Sequence, residues 1–283
     1  MIIIADSGST KTDWRLIDEE KKIHQFSTQG INPYFQSGDE IADIIDKEIP
    51  GNFRELIRGS GSEMFFYGAG CKAVDKKLIV KSALSRNFQK SNILIESDML
   101  GAARSACGHN PGIAAILGTG MNSCYYDGKN ISESRASLGY ILGDEGSGAH
   151  IGKTFISHYL NDELPAEIAR RFEQRFNLSK DMIIDAVYRK PMPNRFLGSF
   201  SKFVYQNQKE QFIIDMLVKC FHQFFDKHIC RYPQHKEIKL SCVGSIAFYY
   251  SNILRSVGED RGVNIDTIVE TPIAGLTLYH LEE

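Results

Sequence analysis

The chain opens on a short apolar run, Ile2 to Ala5. The run breaks at a turn of small polar residues and resumes with Trp14, Leu16 and Ile17 before the charged stretch DEEKK. That pattern predicts a hairpin with polar tips, and Ile23 to Phe26 offers a third strand. Within 39–48, Ile41, Ile44 and Ile45 fall at helical spacing, and GNFRELIRGSGSE after it reads as a turn. A strand at 64–67, a helix over 72–88, a strand at 93–95 and a helix beginning at Asp98 follow. Three strands succeeded by alternating strand and helix indicate an α/β unit on a mixed sheet.

The opening theme returns in GIAAILGTGMNSCYYDGKN: an apolar strand, a turn built from Gly118, Thr119, Gly120, Asn122 and Ser123, and a second strand ending in DGKN. Two such units about 110 residues apart point to an internal duplication, each half owning a sheet, with a cleft between the halves. From 161 to about 232 the rhythm is helical. Pro165 suits a first helical position, Ile168, Phe172 and Phe176 recur every fourth residue, and Ser179 caps a segment bearing Ile183, Ile184 and Val187. Phe212, Ile213, Met216, Leu217, Cys220, Phe221, Phe224 and Phe225 form a broad stripe of the kind that faces a core. The chain closes with the strand EIKLSCV, a turn at Gly244 and Ser245, a helix over 248–255, a strand over 263–269, and a final helix. Thr271 is expected as its N-cap and Pro272 as its first residue. The expected domains are 1–109 and 110–283, with the last helix, 272–283, packing back on the first.

Length and charge narrow the classes. At 283 residues the chain is long enough for two cored domains, and a net charge of -2 supplies no basic field for nucleic acid. No window approaches the ~18 uninterrupted apolar residues of a membrane span, and Asp6 arrives too soon for a signal peptide, so a cytoplasmic protein is expected. Cys71, Cys107, Cys124, Cys220, Cys230 and Cys242 include no C-x-x-C pair, and the eight histidines form no ligand-like cluster. Free buried thiols and no protein-held structural metal are the expectation.

Three stretches carry chemistry. In DSGSTKTD, small residues let backbone N–H groups approach an anion while hydroxyls and Lys11 add donors, as a polyphosphate requires. Asp6 would repel that phosphate unless a divalent cation lay between them, so Mg²⁺ is implied. The spacing is not that of a Walker A loop, and a plain hairpin turn is the alternative. The turn GTGMNS repeats the donors in the second half. Asp98, at a helix start, should be kept ionised by the helix N-terminus, which suits a general base toward a hydroxyl; a simple N-cap is the competing reading. In SLGYILGDEGSGAHIGK the adjacent acids Asp144 and Glu145 lie in a glycine-bracketed loop. There they should face solvent, ligand or each other, as acceptors for a sugar's vicinal hydroxyls or as a solvated acidic turn.

With these stretches in order, the sequence resembles the N-acetylglucosamine kinase and BadF/BadG-type ATPase family, within the superfamily of sugar kinases, actin and heat-shock chaperones. The resemblance runs through IIIADSGSTKTDWRLID, the helix at Asp98, ILGTGMNS, LGDEGSG at 142–148, CVGSIA and TPIAGLTLYH. It implies two ribonuclease-H-like, actin-like ATPase domains with a cleft between them, and a kinase that uses ATP and Mg²⁺ to phosphorylate the 6-hydroxyl of an amino sugar. Asp6 would organise Mg²⁺. Gly8, Ser9, Thr10 and Lys11 would hold the β- and γ-phosphates, met by Gly118, Thr119 and Gly120, and Gly244 and Ser245 would lie under the adenosine. Asp98 matches the family's base, and Asn32, in GINPYF, matches a sugar-binding asparagine. Asp144 matches a further hydroxyl ligand, and Asn122 could add one.

The chain departs from the family in two places: the adenosine turn reads VGSIA where a paired glycine is more usual, and the segment before LGDEGSG differs. A Gly-Gly-Trp-Gly run often precedes LGDEGSG, whereas Ala136, Ser137, Leu138 and Gly139 stand here. Leu138 could still supply an apolar wall for an acetyl methyl, but the aromatic plane is gone, so glucosamine, another hexose derivative or a cell-wall sugar is open. Two further readings follow from the same superfamily: an ATPase activator of a dehydratase or reductase, whose dimers hold an iron–sulfur cluster, and a non-catalytic sugar or nucleotide sensor. A small-molecule sugar is the expected partner, with a homodimer left open.

Overall fold

In the computed structural model, which describes residues 1–8, 10–59 and 61–282, the opening run is strand β1 (Ile2–Ser7). It is followed by β2 (Lys11–Ile17), β3 (Ile23–Gln29), α1 (Gly38–Glu48), α2 (Gly51–Gly59), β4 (Ser62–Gly68), α3 (Val74–Asn87), β5 (Ser91–Ser97) and α4 (Asp98–Cys107). The sheet order is β3-β2-β1-β4-β5; the first three strands meander antiparallel, and β1, β4 and β5 run parallel. Period-2 alternation decides which face each side chain takes. Ile3 and Ala5 join Trp14, Ile41, Ile45, Val80, Leu84 and Phe88 in one core. Ile4 points the other way with Tyr67. Each fully buried Ile or Leu contributes roughly 1.5–3 kcal/mol.

The second series is β6 (Gly112–Leu117), β7 (Met121–Tyr126), β8 (Ile131–Ser134), α5 (Gly139–Leu142), α6 (Gly148–Leu160), α7 (Ala166–Phe176), α8 (Lys180–Tyr188) and α9 (Pro193–Ser199). It continues with α10 (Ser201–Gln206), α11 (Gln211–Lys227), β9 (Leu240–Val243), α12 (Ser245–Tyr249), α13 (Ser251–Asp260) and β10 (Ile265–Val269). Its sheet order, β8-β7-β6-β9-β10, repeats the first sheet strand for strand, with the same antiparallel and parallel pairings. The α11 stripe is core: Ile213, Met216, Leu217, Cys220, Phe221, Phe224 and Phe225 are all buried. The last helix, α14 (Ile273–Leu281), lays Ile273 and Leu276 against Ile4, Ile17 and Tyr67. Two compact units result, Met1–His109 with Pro272–Glu283, and Asn110–Thr271.

Some local expectations fail for identifiable reasons. The segment read as a turn after residue 50 is helix α2, because Phe53 and Ile57, one turn apart, bury a face that outweighs its glycines. Helix α6 had no legible signal, since its glycines dilute the pattern. One of them is a packing requirement: a Cβ at Gly152 would lie 1.9 Å from the Leu197 carbonyl oxygen. Pro165 and Pro272 are N-caps rather than first helical residues. The ring fixes φ and leaves ψ to the packing. Among the described residues no cysteine is in a disulfide, four of the six being buried, and no helix is long and apolar enough to cross a membrane.

Candidate functional site

In the first unit the parallel strands β1, β4 and β5 end side by side, where open α/β sheets place their ligands. The register pairs Asp6 with Tyr67 and Gly68 with Ser97. Asp6 and the start of α4 therefore stand about two strand spacings of ~4.8 Å apart. Ser97 caps α4, its hydroxyl accepting the Leu100 N–H, and Asp98 is the first helical residue, its carboxylate accepting the Met99 N–H at 2.8 Å. The N–H groups at the helix start favour the ionised Asp98, as expected, but burial opposes them. Burial lifts the carboxyl to about 6, and the N–H groups of Met99 and Asp98 only partly offset it. A base poised near neutrality is the result.

Asp6 is perturbed further. Burial, then the charges of Asp98 and Asp13, push it up to about 8, against a smaller opposing pull from Lys11. It accepts no hydrogen bond among the described residues. A half-buried acid among like charges, with no donor to satisfy it, fits a single-carboxylate ligand for a divalent ion whose other ligands are water and phosphate. Among the described residues no three His, Cys, Asp or Glu side chains form a complete metal cage.

The turn after β1 closes with Gly8 N–H on the Lys11 carbonyl at 3.0 Å, with Thr10 exposed between them; Ser9 lies outside the described residues. Lys11 is held by Asp13 at 2.7 Å. Asp13 was missed by the sequence reading, although it pairs with Asp6 across the hairpin and so shares its face. Ser7 and Thr12, both fully buried, stitch this turn to the loop after β3. Their hydroxyls lie 2.7 Å apart, Ser7 Oγ accepts the Ile31 N–H, Thr12 donates to the Gln29 carbonyl, and Gly30 N–H reaches the Thr10 carbonyl. Asn32 is thereby drawn to the same end of the sheet. Its Oδ1 accepts the Tyr34 N–H at 3.0 Å, an Asx turn that leaves Tyr34 and Phe35 exposed beside it. Lys76 Nζ stands 4.9 Å from the centre of the Tyr34 ring.

Behind the site, Tyr67 is wedged between α4 and α14. Its hydroxyl receives Arg104 Nη1 at 2.8 Å and meets His280 Nε2 at 2.8 Å. The pair ties the helix that begins at Asp98 to the sheet strand beside Asp6.

In the second unit the turn 118–120 closes with Gly118 N–H on the Gly120 carbonyl, and its own carbonyls cap α6, receiving the N–H groups of Gly148 and Ala149 at 2.8 and 3.0 Å. Thr119 is exposed. Gly244, at φ 121°, brings the last turn against the end of β6, where a Cβ would lie 2.3 Å from the Leu117 carbonyl oxygen; Ser245 then begins α12. The structure thus gathers Gly118, Thr119, Gly120, Gly244 and Ser245. Asn122, in β7, turns its Oδ1 onto the Ser123 N–H.

The two acids of 144–145 have different surroundings, and of the readings left open the solvated acidic turn is excluded, since both are buried. Asp144, at φ 58°, is 7% exposed, and its Oδ1 has no hydrogen-bond partner among the described residues. Its Oδ2 would lie 3.0 Å from a Cβ at Gly120. Burial raises its pKa, the Met121 N–H opposes that, and the Glu145 charge adds to it. Glu145 is turned away into the protein, where Lys227 Nζ at 2.6 Å and His228 Nε2 at 2.8 Å take one carboxylate oxygen each. Burial alone would raise it, yet these partners hold it down at about 2. Lys227 and His228 escaped the sequence reading because they lie more than eighty positions further along the chain.

No protein-family model matches the chain. Among solved structures, a provisionally named N-acetylglucosamine kinase from Porphyromonas gingivalis superposes at a TM-score of 0.94 with 40% identity, over 100% of this chain and 99% of that one. A ROK family glucokinase from Streptomyces griseus, solved with glucose and AMPPNP, aligns at 0.55 with 15% identity over 98% of this chain and 97% of that one, a likeness of fold alone. The N-acetyl-D-glucosamine kinase of Dictyostelium discoideum is 28% identical over 167 residues, 55% of this chain. That match spans about half the length of the relative, 52%.

Proposed function

The chain belongs to the N-acetylglucosamine kinase family of carbohydrate kinases, and from that premise we propose that it transfers the γ-phosphoryl group of ATP to the 6-hydroxyl of N-acetylglucosamine or a closely related amino sugar. The observation that carries this reading is Asp98: a buried carboxyl at a helix start, poised at about 6, at the strand ends that also present Asp6 and Asn32.

In this reading the residues divide the work. Asp6 would hold Mg²⁺, and Gly8, Ser9, Thr10 and Lys11 with Gly118, Thr119 and Gly120 would hold the phosphates, Gly244 and Ser245 supporting the adenosine. The bound magnesium nucleotide supplies the phosphoryl group and neutralises its charge. Asp98 takes the proton from the attacking hydroxyl, which makes the oxygen a better nucleophile as it moves toward phosphorus. Asn32 and the free oxygen of Asp144 orient the sugar through its other hydroxyls, with Asn122 adding one contact. Tyr34, exposed beside Asn32, offers an aromatic face that the segment 136–139 lacks.

The test is a panel of hexoses and amino sugars incubated with ATP and Mg²⁺, with products weighed by mass spectrometry. A single added phosphoryl group on N-acetylglucosamine or a near relative is expected. No product from any amino sugar would overturn the reading.

A further inference from the structure

Asp144 occupies an awkward position for a side chain assigned to orient a ligand. It sits in the left-handed region at φ 58° without being glycine, a conformation that costs about 1–2 kcal/mol and persists only where neighbours impose it. Its Oδ1 is unpaired, while the carboxylate takes the Met121 N–H and a hydrogen bond from the Ser137 side chain. Adjacent residues add a second restraint.

On the C-terminal side it is visible. Glu145 is 5% exposed and spends both carboxylate oxygens on the end of α11, one on Lys227 and one on His228. Gly146 N–H then meets His150 Nδ1 at 3.3 Å; burial holds that imidazole down at about 4, neutral and able to accept. Two residues further, the N–H groups of Gly148 and Ala149 bond to the turn 118–120. The anchor on α11 and the second turn thus bracket Asp144, and the anchor is charged at its nearest point.

We propose that Glu145 is a positioning residue for sugar binding: by its ion pair with Lys227 and its hydrogen bond to His228 it sets the loop so that the free oxygen of Asp144 is presented to the substrate. The inference rests on the sugar-kinase reading above and deepens it. Glu145 touches no ligand in this scheme. Lys227, paired with Glu145 at 2.6 Å, also offsets a charge next to Asp144 that discourages that carboxyl from ionising.

The experiment compares wild type, Glu145→Gln, Asp144→Asn, His228→Ala and His228→Gln, with sugar KM, nucleotide KM, kcat and melting temperature measured for each. Glu145→Gln should raise the sugar KM about tenfold or more, as loss of a partner that orients a ligating carboxylate does. Nucleotide KM should stay within about twofold, reproducing the direction seen for Asp144→Asn. His228→Ala should shift the sugar KM the same way, and His228→Gln, which keeps a donor for Oε2, should recover part of it. A Glu145→Gln protein with the wild-type sugar KM would overturn the inference. So would one whose sugar and nucleotide KM both rise in step with a lost melting temperature, since that is a general structural defect. If Glu145→Gln fails to fold, the two His228 variants decide alone, and equal sugar KM for both overturns it. A wild type inactive on every amino sugar would instead sink the underlying reading, so the two failures are distinguishable.

Discussion

Replacing Asp6 with asparagine should stabilise the ligand-free protein at neutral and alkaline pH while removing its use of magnesium nucleotide. The carboxyl is displaced from 3.8 to about 8 by burial and by Asp98 and Asp13. At about 1.4 kcal/mol per tenfold step in acidity, that displacement caps the cost of carrying the side chain near pH 8 at about 6 kcal/mol. The residue is only half-buried, so water screens the charge and we expect about 1–2 kcal/mol. A carboxyl raised in the folded state contributes its full stability below about pH 4 and loses it as pH climbs through about 8, the reverse of a salt-bridged carboxylate. Asp98 adds a smaller loss of the same sign as pH climbs through about 6. Urea unfolding without divalent ions, run from about pH 4.5 to 8, therefore has a defined expectation. Wild-type stability should fall across the range, Asp6→Asn should fall less, and the two should converge at the acidic end. Magnesium nucleotide should then raise the wild-type midpoint far more than that of the variant, since only a ligand that binds the folded state stabilises it. Parallel curves for wild type and variant would refute the argument.

Two further outcomes follow from the geometry. The acid limb of the kcat/KM profile should rise with an apparent pKa near 6 as Asp98 loses its proton, and Asp98→Asn should lower kcat by about 10²–10⁴-fold without that limb. Gly244→Ala forces a Cβ to 2.3 Å from the Leu117 carbonyl oxygen at a φ of 121°. It should cost about 2–4 kcal/mol of stability, measurable as a lowered melting temperature, together with a raised nucleotide KM.

The parts legible in the sequence are those governed by local pattern. Ile2 to Ala5 and Gly112 to Leu117 read as strands, and the small residues after each read as turns, because apolar alternation and turn chemistry act over a few positions. Asp98 was placed at a helix start for the same reason. The rise of its carboxyl to about 6 was hidden, because the sequence shows the helix N-terminus but not the burial that opposes it. The separate fates of Asp144 and Glu145 were hidden, since neighbours in sequence are sorted by Lys227 and His228, which only the fold brings near. Helix α6 escaped notice because its glycines serve packing against α9, a tertiary demand that erases the helical pattern. Asp13 was visible as a residue but not as a partner of Asp6, since that pairing depends on the hairpin register.

The most direct test of the central claim is the fate of phosphorus in a single turnover with isotopically labelled N-acetylglucosamine, ATP and Mg²⁺, followed by carbon–phosphorus NMR coupling. The account predicts phosphorus bonded through the oxygen on C6 for wild type, and no such signal over the same interval for Asp98→Asn, although that variant still binds both ligands. Phosphorus on another hydroxyl, or wild-type transfer by the variant, would contradict it.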